Sequence, residues 1–254
     1  MRLDMHCHCK SGSIDSRITL SDYAEKLKQS GFGGMLVTDH DSYRAYSLWK
    51  KKNPDGIEGF KIFMGIEYDT VDAGHFIVIM PEGVQIKALE LRGMRLETLI
   101  KTVHSNNGIL GPAHPFGVRC SSAMFFRKLK RNPDLILNFD FIEGFNTCEN
   151  PLSNKLAKNL AKEYNKPCTG GSDAHKSKYV STAYTEFNRP LIDNDDLIEA
   201  IKNNDISDFG GVERESTMSS KHMNAFYSIF GFLAYNKSLS ILYSPFRAIS
   251  LSHL

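Results

Sequence analysis

The chain opens MRLDMHCHCKSGSID, in which His6 and His8 alternate with Cys7 and Cys9. Two kinds of chemistry fit that spacing. A Cys/His ligand set would build a zinc knot. A β-strand, whose side chains alternate faces, would aim only the histidines at one target. The knot needs a second Cys/His cluster downstream, and the five cysteines include no CxxC pair. On a strand from Arg2 to Cys9, Asp4, His6 and His8 share one face. Leu3, Met5, Cys7 and Cys9 share the other, where a free thiol packs as a small hydrophobe beneath covering helices.

The same ending recurs along the chain. Apolar runs lead into Asp39 and His40 of TDHDS, Glu67 of GIEYDT, His114 of GPAHPFG, Glu143 and Asn146 of EGFN, and Asp173 and His175 of CTGGSDAH, while His75 stands in GHFIVIM. Core histidines with satisfied hydrogen bonds explain a lone HxH. They do not explain six or seven strands that each present a His, Asp or Glu. Buried ionisable groups are costly unless paired or bound to metal. A convergent ring of neutral imidazoles and carboxylates is the donor set of a multinuclear metal site, and it suits zinc, manganese and iron alike. Asp39 fits either an orienting partner of a ligand histidine or a strand-end cap.

Other residues carry a functional and a bland reading side by side. Arg119 follows HPFG and has the planar fork that clamps a phosphate. Lys176, Lys178 and Arg17 flank the histidine motifs and are otherwise solvated loop charges. Asn146 faces the same rim, where it contacts substrate or makes structural hydrogen bonds. The run Arg127–Arg131 (RKLKR) is a solvated helical face or a track for a nucleic-acid backbone. Phe116, Phe125 and Phe126 are core or base-stacking aromatics. His104 reads as structural, His222 and His253 lie in the tail, and Cys148 and Cys168 read as packing thiols.

These residues need a frame to bring them together. From Met1 to about residue 210, short apolar runs alternate with amphipathic stretches, the signature of βα units. Strands are expected at 2–8, 35–40, 62–70, 75–80, 109–115, 141–146, 168–172 and 183–187. Helices are expected at 21–29, 96–106, 153–164 and 195–203. Ser21 is the expected N-cap of the first helix, with Gly31 past its end. The pattern points to an α/β fold, a parallel barrel of seven or eight strands or an open doubly wound sheet. In such folds chemistry gathers at the strand C-termini. The 254 residues suffice for one barrel domain, and a net charge of +2 gives no reason to expect a stable nucleic-acid partner. No basic-then-apolar leader opens the chain, and the unpaired cysteines suit a reducing, cytoplasmic setting. From about Glu213 the alternation stops. The aromatic-rich 211–254 segment is expected to pack on the barrel as added helices, to form a homo-oligomer contact, or to lie on a membrane surface. No stretch is apolar for long enough to span a membrane.

In order, DMHCH, a following Asp, TDHD, GIE, GH, AHPF and GSDAH resemble the motif series of the PHP (polymerase and histidinol phosphatase) family across about residues 1–190. The likeness is strongest to its small stand-alone phosphoesterases. The HxHxLPG motif of the family's tyrosine phosphatases is absent. The resemblance implies a distorted (β/α)7 TIM-like barrel over 1–210, with a helical C-terminal extension over 211–254. It also implies two to three divalent metal ions (Zn, Mn or Fe) at the C-terminal rim. Position by position, His6, His8, Glu67 and Asp173 would hold one metal, with Glu67 bridging to a second completed by His75 and His114. Asp15, His40 and His175 would hold the third.

The implied activity is metal-dependent hydrolysis of small phosphate esters by a hydroxide held between metals, with Glu67, Asp173 and His175 as catalytic residues. Arg119, Lys176 and Asn146 are the expected substrate contacts. Nucleotides with a terminal phosphate and short oligonucleotides lead as substrates, with histidinol phosphate as the alternative. A non-catalytic metal-binding regulatory module and carbon–nitrogen bond hydrolysis are the readings from other classes.

Overall fold

The structure, a computed structural model, describes residues 1–117, 121–213 and 222–252, the last segment by backbone alone at 222–230 and 232. Arg119 and His253 therefore lie outside the described residues. Among the described residues there are nine strands: β1 (Arg2–Cys7), β2 (Gly34–Val37), β3 (Lys61–Asp69), β4 (His75–Ile79), β5 (Ile109–Pro112), β6 (Ile142–Asn146), β7 (Cys168–Gly171), β8 (Ala183–Phe187) and β9 (Ile206–Gly211). The helices are α1 (Leu20–Gln29), α2 (Arg44–Lys52), α3 (Leu96–Ser105), α4 (Arg127–Arg131), α5 (Pro151–Glu163), α6 (Asn194–Lys202) and α7 (His222–Ser252). Thr19, two residues earlier than expected, caps α1 by accepting from Asp22 N, and Gly31 follows its end at φ 81°.

The fold is α/β, with a curled half-barrel sheet in the order β5-β4-β3-β2-β1-β8-β9 and a separate β6–β7 ribbon. Asp140 N donates to Leu110 O at 2.9 Å, Asp173 N donates to His6 O at 2.9 Å, and Cys7 bridges Ala174. These bonds seat the ribbon between β5 and β1 and curl the sheet towards closure.

The expected all-parallel pairing is corrected. β1–β2, β2–β3 and β6–β7 are parallel, while β3–β4, β4–β5, β1–β8 and β8–β9 are antiparallel. For β3–β4 the cause is loop length. Only residues 70–74 separate β3 from β4, enough for a hairpin and too few for a parallel crossover. The reversal has a functional consequence: His75 begins its strand rather than ending it, and lands beside Asp69 at the end of β3.

A second correction concerns β1. Its register with β2 shifts between Asp4 and Cys7, the mark of a bulge. Leu3 and Met5 pack inward with Phe63, Ile77 and Phe141, whereas Cys7 and Cys9 pack outward with Leu20, Tyr23 and Leu27 of α1. Two consecutive residues, Met5 and His6, therefore face inward. Asp4 is turned to the opposite side from His6 and His8, where it accepts from Tyr23 Oη at 3.0 Å and from Ser172 Oγ at 2.6 Å.

Among the described residues, no helix is long and apolar enough to cross a membrane. Within the tail, residues 222–252 form one long helix, α7, which docks through buried Ser240 and Arg247 and leaves Ile241, Leu242, Phe246 and Ile249 exposed.

Candidate metal centre

The strands from β1 to β7 deliver polar residues to the same rim. The bulge in β1 sends His6 and His8 inward together, both fully buried. Glu67 comes from β3, His75 from the start of β4, His114 from just after β5, and Asp173 and His175 from just after β7. His114 at φ 32° and Asp173 at φ 51° hold left-handed backbone that a non-glycine residue adopts at a cost. Such strain clusters at functional sites.

Five imidazoles surround Glu67, and a sixth, His175, stands between Asp173 and Asp15. Its Oε1 lies 2.9 Å from both His75 Nδ1 and His114 Nε2. Its Oε2 lies 3.1 Å from His40 Nδ1, 3.3 Å from His8 Nε2 and 3.5 Å from His6 Nε2. Asp173 Oδ1 lies 3.2 Å from His8 Nε2 and 3.5 Å from His175 Nδ1. At the outer edge, half-exposed Asp15 places Oδ2 3.1 Å from His175 Nε2 and 3.7 Å from His40 Nε2. All nine residues expected as ligands thus meet in one constellation. Three subsets, His6/His8/Glu67, His40/Glu67/His75 and His8/His40/His175, bring one donor atom each within 4.8 Å of one another.

The outward-facing imidazole atoms are fixed by the protein. His6 Nδ1 donates to Glu143 Oε1 at 2.8 Å. His8 Nδ1 lies 3.0 Å from Ser13 Oγ, whose own proton goes to Asp39 Oδ1 at 2.8 Å, so the imidazole is the donor. His175 Nδ1 donates to the Asp173 carbonyl at 3.0 Å, His114 Nδ1 lies 3.2 Å from Ser122 Oγ, and His75 Nε2 lies 2.5 Å from Asp69 Oδ1. Fixing one ring nitrogen as donor leaves the other with its lone pair directed inward, the arrangement that orients metal-bound histidines.

His6 Nε2 and His8 Nε2 then face each other at 3.1 Å. Two lone pairs at that separation repel, so either a proton or a cation must stand between them. Charge balance makes the same demand. Burial raises the Glu67 carboxyl, but His75, His40 and His6 override it and hold the group well below its ordinary value. Burial likewise works against His6, yet Glu143, Asp173 and Glu67 raise its imidazole well above the ordinary value. His75 behaves in the same way beside Asp69 and Glu67. The donor set, its geometry and its unmet negative charge all fit divalent cations.

The comparisons with known proteins follow the same lines. Residues 151–206 match the PHP-associated family. A stretch of 73 residues is 30% identical to the PolC-type DNA polymerase III of Lacticaseibacillus paracasei, covering 29% of this chain and 5% of the polymerase. The likeness to the PHP type is thus found over part of the chain. Its fold is similar to that of a metal-dependent phosphoesterase from Bifidobacterium adolescentis, with 15% identity and a TM-score of 0.57 over 83% of this chain and 96% of that one. It is also similar to a lesion-specific endonuclease of Pyrococcus furiosus, with 19% identity and a TM-score of 0.59 over 84% of this chain and 60% of the endonuclease.

The substrate contacts fare differently from the ligands. Lys176 is exposed beside His175, as a rim contact must be. Asn146 is buried, donating to Glu143 Oε2 at 3.1 Å and accepting from Cys148 N at 2.8 Å, the hydrogen bonds of its structural reading. In the RKLKR run, Lys128 is committed to ion pairs with Asp72 and Glu97, which leaves Arg127, Lys130 and Arg131 exposed. His104 pairs with Asp140 at the surface. Asp39 resolves both of its readings, capping Cys9 N and reaching His8 through Ser13. Sequence reading left Asp69 unassigned, although strand alternation from Glu67 places it on the same face. It also gave no role to Ser13, Ser122 or Arg92, whose types and spacings carry no signal.

Proposed function

We propose that this PHP-type chain is a metal-dependent phosphoesterase. The observation that carries the reading is the convergence of six imidazoles on Glu67 and Asp173, most with the far ring nitrogen held by a protein group. His6, His8, Glu67 and Asp173 would hold one cation. Glu67, His75 and His114 would hold a second, and Asp15, His40 and His175 a third. Zinc, manganese or iron bound there would supply Lewis acidity, activating water and neutralising phosphoester charge.

The chain's own residues set the conditions for that chemistry. Glu143, Ser13, Ser122 and the Asp173 carbonyl keep the imidazoles of His6, His8, His114 and His175 in the tautomer that turns a lone pair inward. Burial of Glu67, His6 and His8 excludes bulk water from the inner half. Asp15 and His175, half open to solvent, form the outer half where an ester enters. Arg119 and Lys176 are proposed to bind its phosphate. Residues 1–210 form the proposed catalytic unit, although β9 continues to Gly211, and 211–254 the docked extension.

Nucleotides with a terminal phosphate and short oligonucleotides are the leading substrates. They are supported by fold neighbours that include an endonuclease and a phosphoesterase. Histidinol phosphate is the alternative. The deciding experiment is metal analysis of the purified protein, with phosphate release from nucleotides, short DNA and RNA, histidinol phosphate, and an amide control. Two to three metals per chain with release from one phosphoester class establishes the reading. Absence of metal binding after reconstitution ends it.

A further inference from the structure

Behind His75 lies a second charged cluster, of which the metal site as described uses only Asp69. Asp41 and Asp69 are both buried and adjacent, Asp69 N donating to Asp41 Oδ1 at 2.9 Å. Two carboxylates side by side away from water need a cation. Arg92 provides it, with Nη2 2.8 Å from Asp41 Oδ2 and Nη1 3.0 Å from Asp69 Oδ2. The guanidinium thus lies within ion-pair distance of one oxygen of each acid, an attraction that restrains the rotation of both carboxylates.

That rotation determines what faces the metal centre. With Oδ2 of Asp69 paired to Arg92, Oδ1 lies 2.5 Å from His75 Nε2. His75 is thereby turned so that Nδ1 meets Glu67 Oε1 at 2.9 Å. Asp41, in left-handed backbone at φ 46°, directly follows His40 and donates its own N–H to the Glu67 carbonyl at 3.1 Å.

Arg92 is itself seated from outside. It lies on a strap, residues 91–95, whose inner side is tied to β3: Gly93 N donates to Asp69 O at 2.7 Å and Met94 N donates to Tyr68 Oη at 3.0 Å. Its outer side is tied to α7. Ser240 Oγ donates to Gly93 O at 3.1 Å, Arg247 Nη1 donates to Arg92 O, and Arg247 Nη2 donates to Ser240 O at 2.8 Å. Tyr235 lies over the guanidinium at 5.7 Å. Gly93, at φ 95°, admits this contact because a Cβ there would stand 2.3 Å from Ser240 Oγ.

We propose that Arg92, seated by the C-terminal helix, is a positioning residue for the His75 side of the metal centre. It acts through Asp69, so that α7 sets the quality of one half of the site without touching it. The proposal rests on the metal-site reading for its metal readout and stands apart from it in its imidazole readout.

The test uses the full chain as wild type, Arg92→Gln, Arg92→Lys and Arg247→Met. One measurement is the long-range proton–nitrogen spectrum of the histidine rings without metal, and the other is zinc titration against a competing chelator. In Arg92→Gln, the His75 ring signals are expected to shift while those of His8 and His175 stay in place. One zinc equivalent should weaken by about 10–100-fold, the range for lost orienting partners of a ligand. Arg92→Lys should recover part of that loss, and Arg247→Met should show the same pattern in weaker form. Unchanged His75 signals in folded Arg92→Gln would overturn the proposal, and so would a loss spread evenly over every zinc equivalent. If Arg92→Gln does not fold, unchanged His75 signals in both Arg92→Lys and Arg247→Met overturn it. A wild type that binds no zinc removes the metal reading, and the ring spectra then decide the positioning claim alone.

Discussion

Glu143 shows how much a single buried carboxylate can be asked to do. Oε1 accepts from His6 Nδ1, and Oε2 accepts from both His114 N and Asn146 Nδ2. It therefore sets the tautomer of one imidazole and the backbone position of another. Glu143→Gln keeps the shape but removes the charge and sets an NH2 against a donor. Metal affinity is expected to fall about 10–100-fold, read by chelator competition at fixed pH. Affinity equal to wild type would show that His6 is oriented by something else. Gly171 tests packing at the same spot, since a Cβ there would stand 2.3 Å from His6 Cβ. Gly171→Ala must displace β1 or β7, and an expected loss of about 1–3 kcal/mol is checked by urea unfolding. A midpoint equal to wild type would mean the two strands separate freely.

The elements work as carriers of these residues, and here legibility in the sequence divides sharply. Eight strands and most helices were readable because apolar runs bounded by turn residues are local signals. The HxH face, the GIE glutamate and the GSDAH pair were readable for the same reason. Their partners were not: Glu143 meets His6 across 137 positions, and pairing direction depends on where the chain returns. The β1 bulge also hid, because it moves Asp4 off the histidine face without altering composition. Asn194 illustrates a contact of this non-local kind. At the start of α6 its side chain accepts from Met64 N at 3.0 Å and donates to Met64 O at 2.6 Å and Met80 O at 2.8 Å, tying the helix to β3 and β4. Asn194→Ala leaves three buried backbone groups without that partner, at a cost of about 2–4 kcal/mol. A change below about 0.5 kcal/mol in equilibrium unfolding would show that water replaces the amide.

For the whole molecule, the centre is a store of opposed charge whose balance follows pH. His6 and His75 stand above their ordinary 6.5 because, against burial, neighbouring carboxylates favour the charged ring. Their contribution to stability is complete below about pH 6.5 and is lost as pH rises through the higher folded values. Glu67 and Asp173 stand below their ordinary 4.5 and 3.8 because, against burial, the imidazoles favour the carboxylate. Their contribution is complete above those values and is lost as pH falls through the lower folded ones. The metal-free chain is therefore expected to be most stable between roughly pH 5 and 6.5 and to lose stability towards pH 8. Cations change this, since they take the place of the ring protons and their binding releases those protons. Zinc at about 100 times its dissociation constant adds about 2.7 kcal/mol, or roughly 5–10 °C in a chain of 254 residues. Because affinity rises as the rings deprotonate, the gap in Tm between zinc-loaded and chelator-treated protein should widen steadily from pH 6 to pH 8. Differential scanning calorimetry at several pH values checks it. A gap that stays constant with pH would mean that the metal displaces no protons, and the imidazoles would then not be its ligands.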